Sequence, residues 1–400
     1  MLETAGEHTA RAAHGRHVLA IQDTTELNFS THELRKTGFG TVGNGKNLGL
    51  FLHPLIVVEA VQGEFRQGGI LGLADAFILN RTQGAITPRR LRPIAGKESQ
   101  RWLDGLHAAG RVLGGATMVT VVADRESDIY EEFAKPRPTH VHLLLRAGQD
   151  RLLHGGAKLF ATLEAAPSNG CQHIDVPAKP GQPARQAKTL VSFAEVDILR
   201  PLHAFDPNNL PATVKLSAVR VAEINPPQGV KPVLWLLLTT HKIASLDDAI
   251  RVIGWYRQRW TIEQVFRTMK TQGFNIEASQ IITPAVMAKL AIAVLIAALR
   301  VMQLVHARSG TTGQKLADAM EATAEPFVEA LTAKLEGKTQ RLKNPHTKGS
   351  LARLAWVVGR LGGWDGYEGH GYKPAGPKTI ANGLTRFDAI RQGWDMQKDV

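Results

Sequence analysis

Two short apolar runs, each ending at an aspartate, constrain this chain more than any other feature. Residues 18–21 run into Gln22-Asp23, and residues 117–123 are almost continuously apolar up to Asp124. An uninterrupted apolar strand belongs in a sheet covered on both faces, so the pattern points to a mixed α/β fold with two carboxylates at strand ends. Two more β-rich runs, 50–60 and 64–73, flank Gln62-Gly63, a hairpin-type turn. Residues 18–73 therefore read as a three-strand antiparallel meander carrying Asp23 on its first strand.

A third acid comes from a helix. Ser245 with Asp248 three residues on is a capping pair, no proline interrupts, and Gly273 is a stop, so one helix is expected over 245–273. At about 100° per residue, Tyr256, Arg259, Glu263, Arg267 and Lys270 fall on one arc, and Ile262, Val265, Phe266 and Met269 on a separate apolar one. Such a polar arc is either a solvated face or a site that presents a carboxylate among cations. Three carboxylates brought together repel unless cations stand between them. Hard oxygen donors of this kind suit Mg2+ or Mn2+, and two such ions support in-line phosphodiester displacement.

The rest of the chain is read around these parts. Residues 1–16 lack the apolar content to fold alone and read as a frayed lead-in. Gly38-Phe39-Gly40-Thr41-Val42-Gly43 matches a dinucleotide fingerprint in letters only, because no strand leads into it and no helix opens from it. The loop with Arg89, Arg90, Arg92 and Lys97 is either solvated or contacts phosphate. It precedes a helix over 98–113. A helix over 128–133 and a strand over 140–146 follow Asp124, with Glu126 and Asp128 orienting or capping that helix. Glu26, beyond the first strand end, reads as exposed. Glycines and prolines recur from 150 to about 230 among short alternating runs, which mark an all-β insertion. An apolar strand over 233–240 returns to the helix of Glu263. Helices are then expected over 285–307, 313–335, 350–361 and 383–397, with a basic segment at 334–348.

With 48 Lys and Arg against 36 Asp and Glu, the formal net charge of +12 favours a polyanionic partner. The single cysteine, Cys171, allows no internal disulfide, and no Cys or His spacing fits zinc. A ten-residue apolar run at 290–299 is too short to cross a bilayer, and no signal core opens the chain, so a cytoplasmic location is expected. The Walker phosphate loop is missing, which excludes that route to nucleotide hydrolysis.

The spacing Tyr256-x2-Arg259-x3-Glu263-x6-Lys270 resembles the signature of the cut-and-paste bacterial transposases of insertion-sequence family four. Gln22-Asp23-Thr24-Thr25-Glu26-Leu27 and Asp124-Arg125-Glu126-Ser127-Asp128 match that family in the same order, and the likeness runs over about 17–394. The resemblance implies a ribonuclease-H-like core in two parts, 17–149 and 233–283, interrupted by the β-rich insertion at 150–232 and followed by a helical, dimerising region at 284–400. It implies Asp23, Asp124 and Glu263 as ligands of two Mg2+ ions, with Mn2+ as a substitute. The reaction it implies is nicking by water, hairpin formation by the freed 3′-hydroxyl, reopening, and transfer to target DNA. Tyr256, Arg259, Lys270 and Arg146 match phosphate-holding residues, and Trp235 matches one that stacks near the flipped base. On its own position in an apolar run, Trp235 reads equally as a core residue. The expected partners are double-stranded transposon ends, target DNA and a second copy of the chain. Members of the family carry a helical DNA-binding domain ahead of the first aspartate, for which this sequence has no room. A shortened chain that pairs with a full-length transposase and inhibits it is therefore the competing expectation; a ribonuclease-H-like structure-specific nuclease is the third.

Overall fold

The computed structural model describes residues 1–30, 35–43, 45–61, 67–82, 93–177, 182–204, 207–366 and 373–396. The expected hairpin turn at Gln62-Gly63 and the cations Arg89, Arg90 and Arg92 lie outside the described residues. The first half of the chain gives α1 (Leu2–Ala13), β1 (His17–Gln22), β2 (Thr25–Asn28), β3 (Gly40–Val42), β4 (Asn47–Glu59), β5 (Ile70–Leu79), α2 (Gln100–Val112), β6 (Met118–Ala123), α3 (Tyr130–Ala134), β7 (Val141–Arg146) and α4 (Leu159–Ala165). The second half gives β8 (Gly170–Val176), β9 (Arg185–Leu199), β10 (Thr213–Glu223), β11 (Leu234–Thr239), α5 (Leu246–Arg257), α6 (Trp260–Arg267), α7 (Pro284–Ala307), α8 (Glu325–Leu335), α9 (Leu351–Leu361) and α10 (Pro377–Met396).

One mixed sheet runs in the order β2-β4-β1-β6-β7-β11-β10-β9-β8, with β3 and β5 also on β4. β1, β6 and β7 are parallel neighbours; every other pairing is antiparallel. The burial of β1 shows why its sequence is apolar throughout. Leu19 and Ile21 enter one core with α5, α6 and α7, while Val18 and Ala20 enter another with α1 to α4. Both faces of the strand are covered, as the uninterrupted run requires. A third core joins the end of α7 to α8, α9 and α10.

Several expectations are corrected. Residues 1–16 are not a frayed lead-in, since α1 docks on β5 through Gly6, Thr9, Ala12 and Ala13, all buried. Small residues let the helix come close, and Thr9 Oγ1 donates to the Leu73 carbonyl at 2.9 Å. The 150–232 segment includes α4 as well as strands, and its strands extend the core sheet through β11. Strand 64–73 is displaced to Ile70–Leu79. Helix 313–335 begins only at Glu325, after two 3-10 turns, and α10 begins at Pro377. The apolar run at 290–299 is the middle of α7, whose 24 residues are long and apolar enough, by length and composition, to cross a membrane. Here Met287, Ala291, Leu295 and Ala298 of α7 are fully buried within the protein.

The helix expected over 245–273 is bent and ends in a wide turn. Ser245 and Asp248 form the capping box. At Gln258 to Ile262 the backbone tightens to i→i−3 bonds, which separates α5 from α6, and Thr268–Gln272 is a π-turn. A uniform projection fails across such changes of pitch, because each shifts the following side chains around the axis.

Candidate catalytic site at the ends of two parallel strands

Ile21 on β1 faces Val122 on β6 in parallel register. Two residues beyond this last pair on each chain come Asp23 and Asp124, and the charge of Asp124 is felt at Asp23. Strand parity gives both the direction of Ile21 and Val122, toward the face covered by α5 and α6. Asp23 Oδ1 accepts from the Thr24 amide at 2.8 Å, and Asp124 Oδ1 from the Glu126 amide at 2.8 Å. Each side chain thus caps the turn that ends its own strand.

Arg259 joins the helix to the strands. Its Nη1 donates to Asp23 Oδ2 at 2.8 Å and its Nη2 to Glu263 Oε1 at 2.6 Å. Burial pushes the Asp23 carboxyl up to about 6 against the pull of the Arg259 guanidinium, and Asp124 and Glu263 push it the same way as burial. Three acids therefore bear on one region, and the cation among them is a side chain of the protein.

Tyr256 is buried and does not share the exposed arc expected of it. Its ring meets Trp235 of β11 edge to face, with centroids 5.6 Å apart, and its hydroxyl feels the charges of Arg259 and Arg146. Trp235 is half-buried, so it is neither a plain core residue nor a free stacking platform. Arg146 Nη2 donates to the Leu234 carbonyl at 2.9 Å. Lys270 lies apart from this group: its Nζ donates to the Glu26 carbonyl and stands 3.5 Å from Glu277 Oε1. Glu26 itself is exposed. In the second motif, Glu126 pairs with Arg101 at 3.1 Å. Asp128 is buried and its side chain holds Arg151 and the amides of Gly148 and Gln149, so it clamps the loop after β7, while the N-cap of α3 is Ile129. Sequence reasoning passed over Arg101, His53 and Glu132, which lie beneath the aspartates. The signal for Glu132 was an acid among the apolar residues Ile129, Tyr130 and Phe133.

The donor set is three carboxylates without histidine or cysteine, which suits a hard divalent cation such as Mg2+ or Mn2+ and not zinc. Among the described residues no three His, Cys, Asp or Glu groups close on a single point. The Arg259 guanidinium stands between Asp23 and Glu263, and it is a cation. The residues fit a divalent ion on condition that Arg259 moves aside.

The family model described as transposase DDE domain matches residues 97–300, just over half of the chain. The protein belongs to the transposase DDE domain family. The matched span includes Asp124, Arg146, Trp235, Tyr256, Arg259, Glu263 and Lys270; Asp23 lies ahead of it. Among solved structures, the cryo-EM structure of the piggyBac transposase synaptic complex with hairpin DNA is similar, with 9% identity and a TM-score of 0.40 over 83% of this chain. The chain spans 57% of the length of that transposase chain.

Proposed function

We propose that this protein is a cut-and-paste DNA transposase of insertion-sequence family four, with a ribonuclease-H-like core, acting on double-stranded transposon ends and target DNA as a homodimer in the cytoplasm. The observation that carries the reading is the position of Asp23 and Asp124 just past the ends of the parallel neighbours β1 and β6, with Asp23 bridged to Glu263 through Arg259. Asp23, Asp124 and Glu263 would hold divalent ions, Mg2+ by preference and two in number. Bound there, such ions supply activation of a nucleophilic oxygen and stabilisation of the leaving one. The chain's own residues do the rest. Arg259, once released from its carboxylates, presents a planar fork to a phosphate, and Arg146 stands close enough to Tyr256 to act with it on the same strand. Trp235, half-exposed against Tyr256, offers an aromatic face to an unstacked base. Lys270 exchanges its Glu26 carbonyl for a phosphate oxygen.

The test is to incubate the purified chain and Mg2+ with a plasmid carrying its coding region in native flanking DNA. Excised ends are then sequenced for hairpins and free 3′-hydroxyls. Hairpin-ended excision that disappears in Asp124→Ala and Glu263→Ala supports the reading. Excision by Asp124→Ala at the wild-type rate overturns it.

A further inference from the structure

Beneath the two aspartates, six side chains connect the end of β1 to the end of β6. Arg101 Nε donates to Thr24 Oγ1 at 2.9 Å, and Thr24 Oγ1 meets His53 Nδ1 at 2.9 Å. His53 Nε2 meets Gln22 Oε1 at 3.2 Å, Gln22 Nε2 donates to Glu132 Oε1 at 3.3 Å, and Ser127 Oγ donates to Glu132 Oε2 at 2.5 Å. The path closes on the other side, where Arg101 pairs with Glu126 and the amides of Glu126 and Ser127 bond to Asp124. Gln22, His53, Ser127 and Glu132 are all buried, and water cannot replace a partner that is removed.

From Arg101 to Glu132 the donors run in one direction, and Ser127 donates to Glu132 from the other side. Gln22 Oε1 only accepts, so His53 must carry its proton on Nε2 and accept at Nδ1 from the Thr24 hydroxyl. Thr24 can then take the Arg101 N–H on its lone pair. Neutral imidazole is required, and burial together with Arg101 depresses His53 to about 3. At the far end, burial lifts Glu132 to about 8, with Asp128 adding to the rise and Ser127 and Arg137 opposing it. The ring accordingly carries no net negative charge under the site at neutral pH. Two packing features hold it in place. Trp102 meets His53 edge to face at 4.7 Å, and Gly105 leaves the space into which Gln22 fits.

We propose that Arg101, Thr24, His53, Gln22, Glu132 and Ser127 form a positioning ring that sets the separation of Asp23 and Asp124. Neither aspartate is held by its strand alone, since both lie just past the last ladder residue. Thr24 is the node that touches both: its amide fixes Asp23 Oδ1, and its hydroxyl is tied through the ring to the turn that begins at Asp124. Glu132 is the far anchor, joining Gln22, which precedes Asp23, to Ser127, which follows Asp124. None of the six needs to touch substrate; they act through the carboxylates. The inference rests on the reading of Asp23 and Asp124 as holders of a divalent ion.

The test uses the full chain and Mn2+ alone, with binding followed by water-proton relaxation and duplex binding measured separately. Thr24→Val keeps the volume and the amide but removes the hydroxyl; it should weaken Mn2+ about tenfold or more, as loss of an outer hydrogen-bond partner does. Duplex DNA affinity should stay close to wild type, the urea midpoint should fall because His53 Nδ1 loses its buried donor, and Thr24→Ser should restore both the midpoint and Mn2+ binding. Glu132→Gln, which retains an acceptor and a donor, should bind Mn2+ as wild type, whereas Glu132→Leu should match Thr24→Val. Wild-type Mn2+ affinity in a folded Thr24→Val protein would overturn the ring. Wild-type Mn2+ affinity in Asp124→Asn would instead overturn the reading of the aspartates on which the ring depends.

Discussion

Arg259 neutralises two of the three acids, and its removal separates what charge does from what shape does. The side chain is 12% exposed and Asp23 19%, so their contact is sheltered from water. Arg259→Ala leaves Asp23 beside Asp124 without a counter-cation. The variant should lose about 1–3 kcal/mol of stability without divalent ion, the cost of orphaning a part-buried charged partner. Mn2+ should recover more stability in the variant than in wild type, because no guanidinium has to be displaced. Urea midpoints with and without Mn2+ measure this, and equal Mn2+ increments in both proteins would show that Arg259 and the ion do not compete. Glu132 gives a second test at the same scale. Its folded pKa is raised to about 8 from 4.5. The unfolded chain therefore releases that proton from about pH 4.5 upward while the folded protein keeps it until about pH 8. Stability must fall with rising pH across this window, by on the order of 1 kcal/mol per pH unit at most. Glu132→Gln has no proton to release. Its urea midpoint relative to wild type should climb from pH 5 to pH 8, and a pH-independent difference would show that Glu132 is ionised in the fold.

At the scale of elements, α2 is placed by a glycine that helix propensity would reject. A Cβ on Gly105 would lie 2.0 Å from Gln22 Oε1. Propensity predicts that Gly105→Ala stabilises the helix by up to about 1 kcal/mol. The clash predicts a net loss of about 1–3 kcal/mol, since Gln22 is fixed at both ends of its amide and cannot withdraw. Thermal melting decides the sign. This glycine also shows where sequence stops being informative: nothing local in α2 reveals that Gln22 lies opposite. The strand ends were legible because the uninterrupted apolar runs of β1 and β6 record two covered faces and stop at an aspartate. The start of α5 was legible because its capping box is local. The bend at Arg259 was not, because the residues it serves, Asp23 and Trp235, come from β1 and β11. Projection on a helix wheel gives which side chains share a face and says nothing of a distant acid or ring that draws one of them in. For the same reason α1 read as disordered: its hold is a carbonyl on β5, 64 residues away.

Over the whole molecule, the cation nearest the acids is already neutralised: Arg259 is paired with two carboxylates. Lys270 stands 3.5 Å from Glu277, and Arg146 donates to a backbone carbonyl and keeps its charge. Most of the long-range attraction from the net charge of +12 must therefore arise away from the acids. Lys334, Lys338 and Lys343, around the end of α8, are exposed in a segment with few acids. Replacing all three by Gln should weaken binding of arbitrary duplex DNA. It should also flatten the plot of log affinity against log salt by about 0.9 for each phosphate that the protein ceases to neutralise. Mn2+ binding should be unchanged, because the strand ends lie in a different core from α8. Arg259→Ala in the absence of divalent ion should leave the salt slope as it is, since its guanidinium is already neutralised. With Ca2+ present the outcome should reverse: the ion frees Arg259 for a phosphate, and wild type should then show a slope steeper by about one unit than Arg259→Ala. Fluorescence anisotropy over a salt series, with and without Ca2+, reads all of these. A slope that is insensitive to the three lysines but falls with Arg259→Ala in metal-free buffer would place the first DNA contact at the acids and contradict this division of labour.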